Sequence, residues 1–252
     1  MCSVCGCNKA EVTSDSMHKH AHQQSSSRLL EIEQNILAKN NYYAERNRQQ
    51  LQSNGIFALN FVSSPGAGKT TLLTEIINQL KDQHAIYVIE GDQQTALDAA
   101  RIRETGVKAM QINTGKGCHL DAHMVGHACK HLDMHKNAFL FIENVGNLIC
   151  PAGFDLGEAH KIVILSVTEG EDKPLKYPEI FHAAELMIIN KTDLLPHLNF
   201  AVQECCEYAK QINPDIDIIQ LCATSGENIE QFGHWLIAGK AQFQSANNKH
   251  KL

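Results

Sequence analysis

Apolar residues recur at helical spacing between residues 28 and 53, at Leu29, Ile32, Ile36, Leu37 and Tyr43, which predicts one amphipathic helix. Gly55 just beyond it is a stop signal. Residues 1–27 carry few large apolar side chains, so burial cannot offset their ordering entropy and a flexible tail is expected. From Ile56 the rhythm changes. Short β-branched and apolar runs at 56–62, 85–89, 108–112, 138–142, 162–167, 186–189 and 216–221 predict strands. Longer amphipathic stretches at 69–80, 96–104, 120–135, 200–212 and 228–238 predict helices. Strand then helix, repeated, predicts an α/β fold: a doubly wound, mostly parallel sheet with helices on both faces. The expected divisions are a tail over 1–27, a helix over 28–54, the α/β domain over 55–240 and a frayed polar end over 241–252.

Composition narrows the function. The 252 residues, 43% of them hydrophobic, suffice for one full α/β domain with tails. Lys plus Arg is 22 against 28 for Asp plus Glu, a net charge of −6, which argues against a nucleic-acid binder. The longest apolar runs, such as 138–142, are far shorter than the roughly 20 residues of a membrane-spanning helix. The first residues offer no apolar core for a secretory signal. Nine cysteines in such a chain are expected to be reduced, in the cytoplasm, and available to metal; there are also 14 histidines.

The strongest chemical signal is Ser63-Ser64-Pro65-Gly66-Ala67-Gly68-Lys69-Thr70-Thr71, between a predicted strand and a predicted helix. Its glycines let backbone N–H groups turn inward around phosphate oxygens, and the helix N-terminus adds its positive end. Lys69 would reach the β- and γ-phosphates, and the Thr70 hydroxyl would ligate Mg²⁺. The first glycine of the usual G-x-x-x-x-G-K-[ST] pattern is replaced by Ser63, which removes no charged contact. Asn190-Lys191-Thr192-Asp193 follows the strand at 186–189. The Asp193 carboxylate only accepts, which suits the N1–H and 2-amino donors of guanine and not adenine, whose N1 is a lone pair. The Lys191 stem could cover one face of the base. Alone, the tetrapeptide could equally be a turn; behind a phosphate loop it points to GTP. Ala223-Thr224-Ser225 follows a later strand and is similar to the last GTPase motif, in which the backbone N–H of the small residue reads guanine O6. Asp92 and Glu143 end two other strands and are candidates for holding Mg²⁺ or orienting water, or are surface carboxylates at loop starts. No general base is evident, so hydrolysis is expected to be slow and regulatory.

Two cysteine groups point to metal. Cys118 and His119 precede the helix at 120–135, where His123, His127, His131 and His135 recur every four residues. Each such step rotates about 40°, so only the first members share a face, and Cys118, His119 and His123, with His127 at the margin, form one ligand surface. Cys150 follows the strand end at Glu143–Asn147, near the same sheet edge. Thiolates with imidazoles suit Zn²⁺ or Ni²⁺, while the same two cysteines could be buried structural thiols. Cys2, Cys5 and Cys7 could wrap one ion, with Gly6 easing the turn, or be incidental in a disordered terminus. His18, His20 and His22 read as part of the solvated tail, with weak holding of surplus metal the alternative.

Taken together the motifs resemble one family, the hydrogenase nickel-incorporation GTPases of the HypB type. The matching stretches are Cys2-x-x-Cys5-Gly6-Cys7, Ser64 to Thr71, Glu90-Gly91-Asp92, Cys118 to Ala122, Glu143 to Pro151, Glu169 to Pro178, and Asn190 to Asp193. The resemblance implies a phosphate-loop GTPase fold of the SIMIBI type and delivery of Ni²⁺ to the large subunit of [NiFe]-hydrogenase. It implies GTP-dependent homodimerisation, hydrolysis that resets the cycle, and a small nickel-binding maturation partner. It places a domain metal site on Cys118, His119 and Cys150, with His123 a further ligand in some members, and a tight nickel site on Cys2, Cys5 and Cys7. Lys173, in the Asp172–Lys176 loop, falls where the family contacts nucleotide or partner across the dimer. A urease-type nickel accessory GTPase and a nickel-storage protein with structural nucleotide are the competing readings.

Overall fold

The computed structural model describes residues 16–92, 97–115 and 117–249. Cys2, Cys5 and Cys7 lie outside the described residues. The chain divides into two units, Met1–Lys39 and Asn40–Leu252. Helix α1 (Ser16–Ser53) begins earlier than residue 28, where apolar periodicity sets in. The first unit holds its opening turns.

In the second unit the elements follow as β1 (Phe57–Ser63), α2 (Lys69–Leu80), β2 (Ile86–Asp92), α3 (Leu97–Glu104), β3 (Lys108–Asn113), α4 (Ala122–His131) and β4 (Phe139–Glu143). They continue as β5 (His160–Ser166), α5 (Lys173–Lys176), α6 (Pro178–His182), β6 (Leu186–Asn190), α7 (Val202–Ile212), β7 (Asp217–Gln220) and α8 (Ile229–Lys249). The sheet order is β3-β2-β4-β1-β5-β6-β7, and every pairing is parallel. Strands β1, β4 and β6 are buried along their whole length, which explains their largely apolar runs, interrupted inside β1 by Asn60. Side chains alternate across the sheet: Phe57, Leu59 and Phe61 join the core under α2 and α8, while Ala58 joins the core under α1 and α4. β1 sits between β4 and β5, so the loops after β1 and β4 open side by side at one sheet edge, where doubly wound folds hold ligands.

The predicted strands all form, and α2 has the bounds expected for it. Besides the start of α1, two helix ends lie well away from those expected. The helix predicted over 120–135 ends at His131, because Asp133 and Asn137 adopt left-handed backbone with φ of 44° and 60°. The end expected to fray over 241–252 is helical to Lys249; Phe243 packs its ring 5.4 Å from that of Phe57 and holds α8 to the core. The short helices α5 and α6 carry no amphipathic period and begin around Pro174 and Pro178.

Asn47 fastens α1 to this unit. Its Nδ2 donates to Ala122 O at 2.7 Å and to Leu156 O at 3.0 Å. Gly126 and Gly157 make room, since a Cβ on either would approach Asn47 atoms within 2.3 and 2.7 Å. Asn47→Ala removes both hydrogen bonds, each worth about 0.5–1.5 kcal/mol. The expected result is a urea midpoint lowered accordingly with GDP affinity retained; an unchanged midpoint would contradict this fastening.

Candidate nucleotide and metal site

Between β1 and α2 the chain turns through Gly66 (φ 77°) and Gly68 (φ 95°). At Gly68 a side chain is excluded twice: by the left-handed backbone, and because a Cβ would lie 2.5 Å from Asn190 Nδ2. Ser63, in the place of the usual glycine, is the last residue of β1 and is not among the positive-φ residues. Its hydroxyl donates to Ser64 O at 2.6 Å and accepts from Lys69 Nζ at 2.9 Å. Lys69 is 9% exposed. Burial pulls its pKa below the usual lysine value, opposed chiefly by Glu143. Thr70 Oγ1 donates to Glu143 Oε1 at 2.7 Å. These residues open onto a cleft of about 550 Å³ that Thr71, Asp92, Gly146 and Lys191 also line.

Behind the carboxylate side of the cleft lies Glu90, named above only within the Glu90-Gly91-Asp92 run and given no role there. Glu90 on β2 stands in register with Glu143 on β4 and is 2% exposed. Burial pushes Glu90 up to about 8, reinforced by Glu143 and Asp92. Glu143 is pushed up to about 7 by burial, against the opposing pull of Lys69 and Thr70. One oxygen of each, Oε2, is buried without a hydrogen-bond partner among the described residues. A hydroxyl and carboxylates of this kind are hard oxygen donors, which fit Mg²⁺ beside a phosphate. Arg101, at 3.7 Å from Asp98 and 3.5 Å from Thr71 Oγ1, is a further cationic group on the rim that sequence spacing did not reveal.

The raised carboxyls have a pH consequence. The folded chain keeps these protons where the unfolded chain has released them. Stability without nucleotide therefore falls as pH rises from the usual 4.5 of glutamate toward 8. Glu90→Gln is expected to flatten part of this fall, read from urea midpoints at about pH 6 and about pH 8. An equal fall in the variant would show that Glu90 does not carry it.

The opposite wall is built around Asn190. Its Nδ2 donates to Ala67 O at 2.9 Å, and its Oδ1 accepts from Lys191 N at 2.8 Å and Ala223 N at 3.1 Å. Through this bond Asn190 links the end of β6 to the Ala223-Thr224-Ser225 turn. Lys191 adopts φ of 64° and donates from Nζ to Gly66 O at 2.6 Å, spanning from the β6 end to the phosphate loop. Asp193 Oδ1 accepts from the Cys222 thiol at 3.0 Å. Lys173 lies at the same edge, 3.2 Å from Glu169 Oε2 and 3.4 Å from Ser64 Oγ.

Cys118, His119 and Cys150 come together, with their ligand atoms within 4.8 Å of one another. Sγ of Cys118 lies 2.7 Å from Sγ of Cys150 and 3.5 Å from His119 Nδ1, and both cysteines are free thiols. The Cys118 thiol is raised, first by its hydrogen bond to Cys150 and then by burial. Burial lowers His119, which favours the neutral imidazole that binds metal. The His119 ring packs 3.9 Å from Phe154. Two soft sulfurs and one imidazole fit Ni²⁺ or Zn²⁺ and leave coordination positions open. His123 stands apart from this trio: one helical step into α4 turns it toward α1, where its ring lies 4.7 Å from that of Tyr43. His127 and His131 are exposed and pair with each other, with ring centres 4.7 Å apart.

The loop after β4 joins the two halves of the site. It starts at Glu143, packs Gly146 so closely on Pro65 that a Cβ would lie 3.0 Å from its Cα, and ends at Cys150. Asn147 Nδ2 donates to Cys118 O at 3.3 Å.

Fold and site define a phosphate-loop nucleotide-binding domain with a sulfur–imidazole cluster on the loop beside its crevice. The family model described as CobW/HypB/UreG, nucleotide-binding domain, matches residues 57–220. The chain belongs to this family. It is 63% identical over 217 residues, 86% of its length and 72% of the relative's, to the hydrogenase maturation factor HypB of Azotobacter vinelandii. It is 59% identical to the HypB of Escherichia coli K12, covering 86% of this chain and 75% of that one. The crystal structure of HypB from Helicobacter pylori in complex with nickel superposes with a TM-score of 0.77 at 41% identity, over 81% of this chain and 96% of that chain. Among the described residues no helix is long and apolar enough to cross a membrane.

Proposed function

We propose that the protein is a cytoplasmic GTPase that handles Ni²⁺ as cargo for the large subunit of [NiFe]-hydrogenase, with nucleotide state setting how readily the metal leaves. The observation that carries this reading is the single loop running from Glu143, bonded to Thr70 Oγ1 at 2.7 Å, to Cys150, whose sulfur meets that of Cys118. A group that senses phosphate and a group that holds metal are ends of one short segment.

In this reading Lys69 and the inward-turned amides from Pro65 to Thr71 bind the phosphates. Thr70, Asp92 and Glu143 hold Mg²⁺, which neutralises charge on the β- and γ-phosphates. Asp193 accepts from guanine, the Lys191 stem covers the base, and Asn190 keeps that wall against Ala67. Cys118, His119 and Cys150 hold the cargo ion, Ni²⁺ in function, and accept Zn²⁺ by the same donor chemistry. Cys2, Cys5 and Cys7 form a second nickel site. GTP binds the homodimer better than the monomer, as it must to shift that balance. Lys173, on the rim beside Ser64, contacts nucleotide or partner across the dimer. A small nickel-binding maturation protein exchanges metal with it.

The test is complementation in a hydrogenase-competent host lacking its own factor. This chain restores hydrogenase activity, and excess nickel bypasses its loss. Restoration of urease alone would assign it to the urease-type accessory GTPases, and no restoration of either would refute the role.

A further inference from the structure

Four buried polar side chains on or beside the central strands take no part in the steps above. Asn60 and Asn144 are at most 1% exposed, and Glu158 and Lys161 are each 7% exposed. Burial of such groups is costly unless each finds partners. Here they partner one another in a row. Asn144 Nδ2 donates to Asn60 Oδ1 at 3.3 Å, and Asn60 Nδ2 donates to Glu158 Oε1 at 3.0 Å. Glu158 Oε1 lies 3.9 Å from Lys161 Nζ. Asn60 and Lys161 are in register across β1 and β5.

Both ends of the row finish on a sulfur loop. At one end Asn144 Oδ1 accepts from Leu120 N at 3.0 Å, two residues beyond Cys118. At the other end Lys161 Nζ donates to the carbonyls of Pro151, Ala152 and Phe154 at 3.2, 3.3 and 3.4 Å. These belong to the tight turn that begins at Cys150, and Phe154 is the ring against His119. The Asn144 end of the row also touches the phosphate side. Asn144 follows Glu143, and its own N–H donates to Phe61 O at 3.0 Å, just before the phosphate loop.

We infer that the Asn144–Asn60–Glu158–Lys161 relay positions the Cys118 and Cys150 sulfurs relative to each other and ties that spacing to the phosphate end of the crevice. The inference rests on the proposed function and adds the residues through which it works. A buried ion pair is a poor device for stability alone, since hydrophobic side chains of similar volume often do as well. A satisfied buried network instead specifies one arrangement. Lys161 directs its ammonium to three carbonyls of one turn, which is what a clamp on Cys150 requires. Both loops are then referred to the same strand, β1, whose far end becomes the phosphate loop. A shift of Glu143 on gain or loss of the γ-phosphate passes through Asn144 to Leu120 on one side and to Asn60 on the other.

The test uses the full chain with Cys2, Cys5 and Cys7 changed to Ser, so that nickel titration reads the Cys118 cluster. Nickel affinity and the thiolate-to-nickel charge-transfer spectrum are measured with GDP and with a non-hydrolysable GTP analogue. The double variant Glu158→Gln/Lys161→Met removes both charges and orphans neither; Asn144→Ser cuts the relay elsewhere should the double variant fail to fold. The expected result is a nickel affinity lowered about 10–100-fold, as for lost supporting contacts behind metal ligands, with an altered spectrum. The ratio of affinities in the two nucleotide states falls to about one while GDP affinity in the double variant stays unchanged. A folded variant with parental nickel affinity, spectrum and ratio overturns the inference. A parental ratio of one overturns the proposed function instead, and the affinity and spectrum still decide the positioning role.

Discussion

Asp193→Asn is expected to weaken GTP binding by about 10⁴-fold and to create affinity for xanthosine triphosphate. Guanine presents two donors, N1–H and the 2-amino group, to a carboxylate that only accepts. The amide nitrogen of Asn is a donor and faces the 2-amino group with the wrong sign. Xanthine replaces that amino group with a carbonyl oxygen, which the new amide can serve. Cys222 donates to Asp193 Oδ1 at 3.0 Å, and an amide oxygen can accept the same thiol, so the wall itself should persist. Calorimetric titration of both nucleotides checks this. Unchanged GTP affinity would mean that Asp193 does not read the base.

Lys69→Ala is expected to lower GTP turnover by about 10²–10³-fold, the usual cost of removing one preorganised group that stabilises developing negative charge. Two effects act together. The phosphates lose a buried ammonium already held in place by Ser63 Oγ at 2.9 Å. Glu143 loses the nearby positive charge that chiefly offsets its burial, so its carboxyl rises above about 7 and binds Mg²⁺ less readily. Single-turnover phosphate release at saturating GTP measures the loss. Turnover within a few-fold of the parent would favour a storage protein in which nucleotide is only structural.

How much of this was legible in the sequence depends on whether a residue's role follows from its neighbours in the chain. The run Gly66-Ala67-Gly68-Lys69 carries its own geometry, so the phosphate loop and both ends of α2 were readable. The buried strands were readable because central parallel strands demand unbroken apolar runs. Cys118 follows β3 and Cys150 follows β4, so their pairing depends on where those two strands sit in the sheet, and spacing alone left it open. His123 illustrates the limit: its four-residue spacing from His119 suggests one face, yet α4 starts only at Ala122, capped by Asp121, and His123 turns toward Tyr43. Four-residue histidine spacing also disguised the end of α4, which local backbone at Asp133 sets. Glu90 and the relay were missed for another reason. Asn60 and Lys161 are polar residues within apolar strands, a visible anomaly, but the partners of Asn60, Glu158 and Asn144, lie far along the chain and only strand order brings them together.

The central claim is that nucleotide state governs metal release. Its most direct test is the affinity and release rate of Ni²⁺ at the Cys118 cluster, in the chain with Cys2, Cys5 and Cys7 changed to Ser. Both are measured once with GDP and Mg²⁺ and once with a non-hydrolysable GTP analogue and Mg²⁺. The account predicts that the two affinities differ by about 5–150-fold, the range of ordinary coupling between two sites, with release rates differing in the same sense. Equal affinities and equal release rates in both states would contradict it.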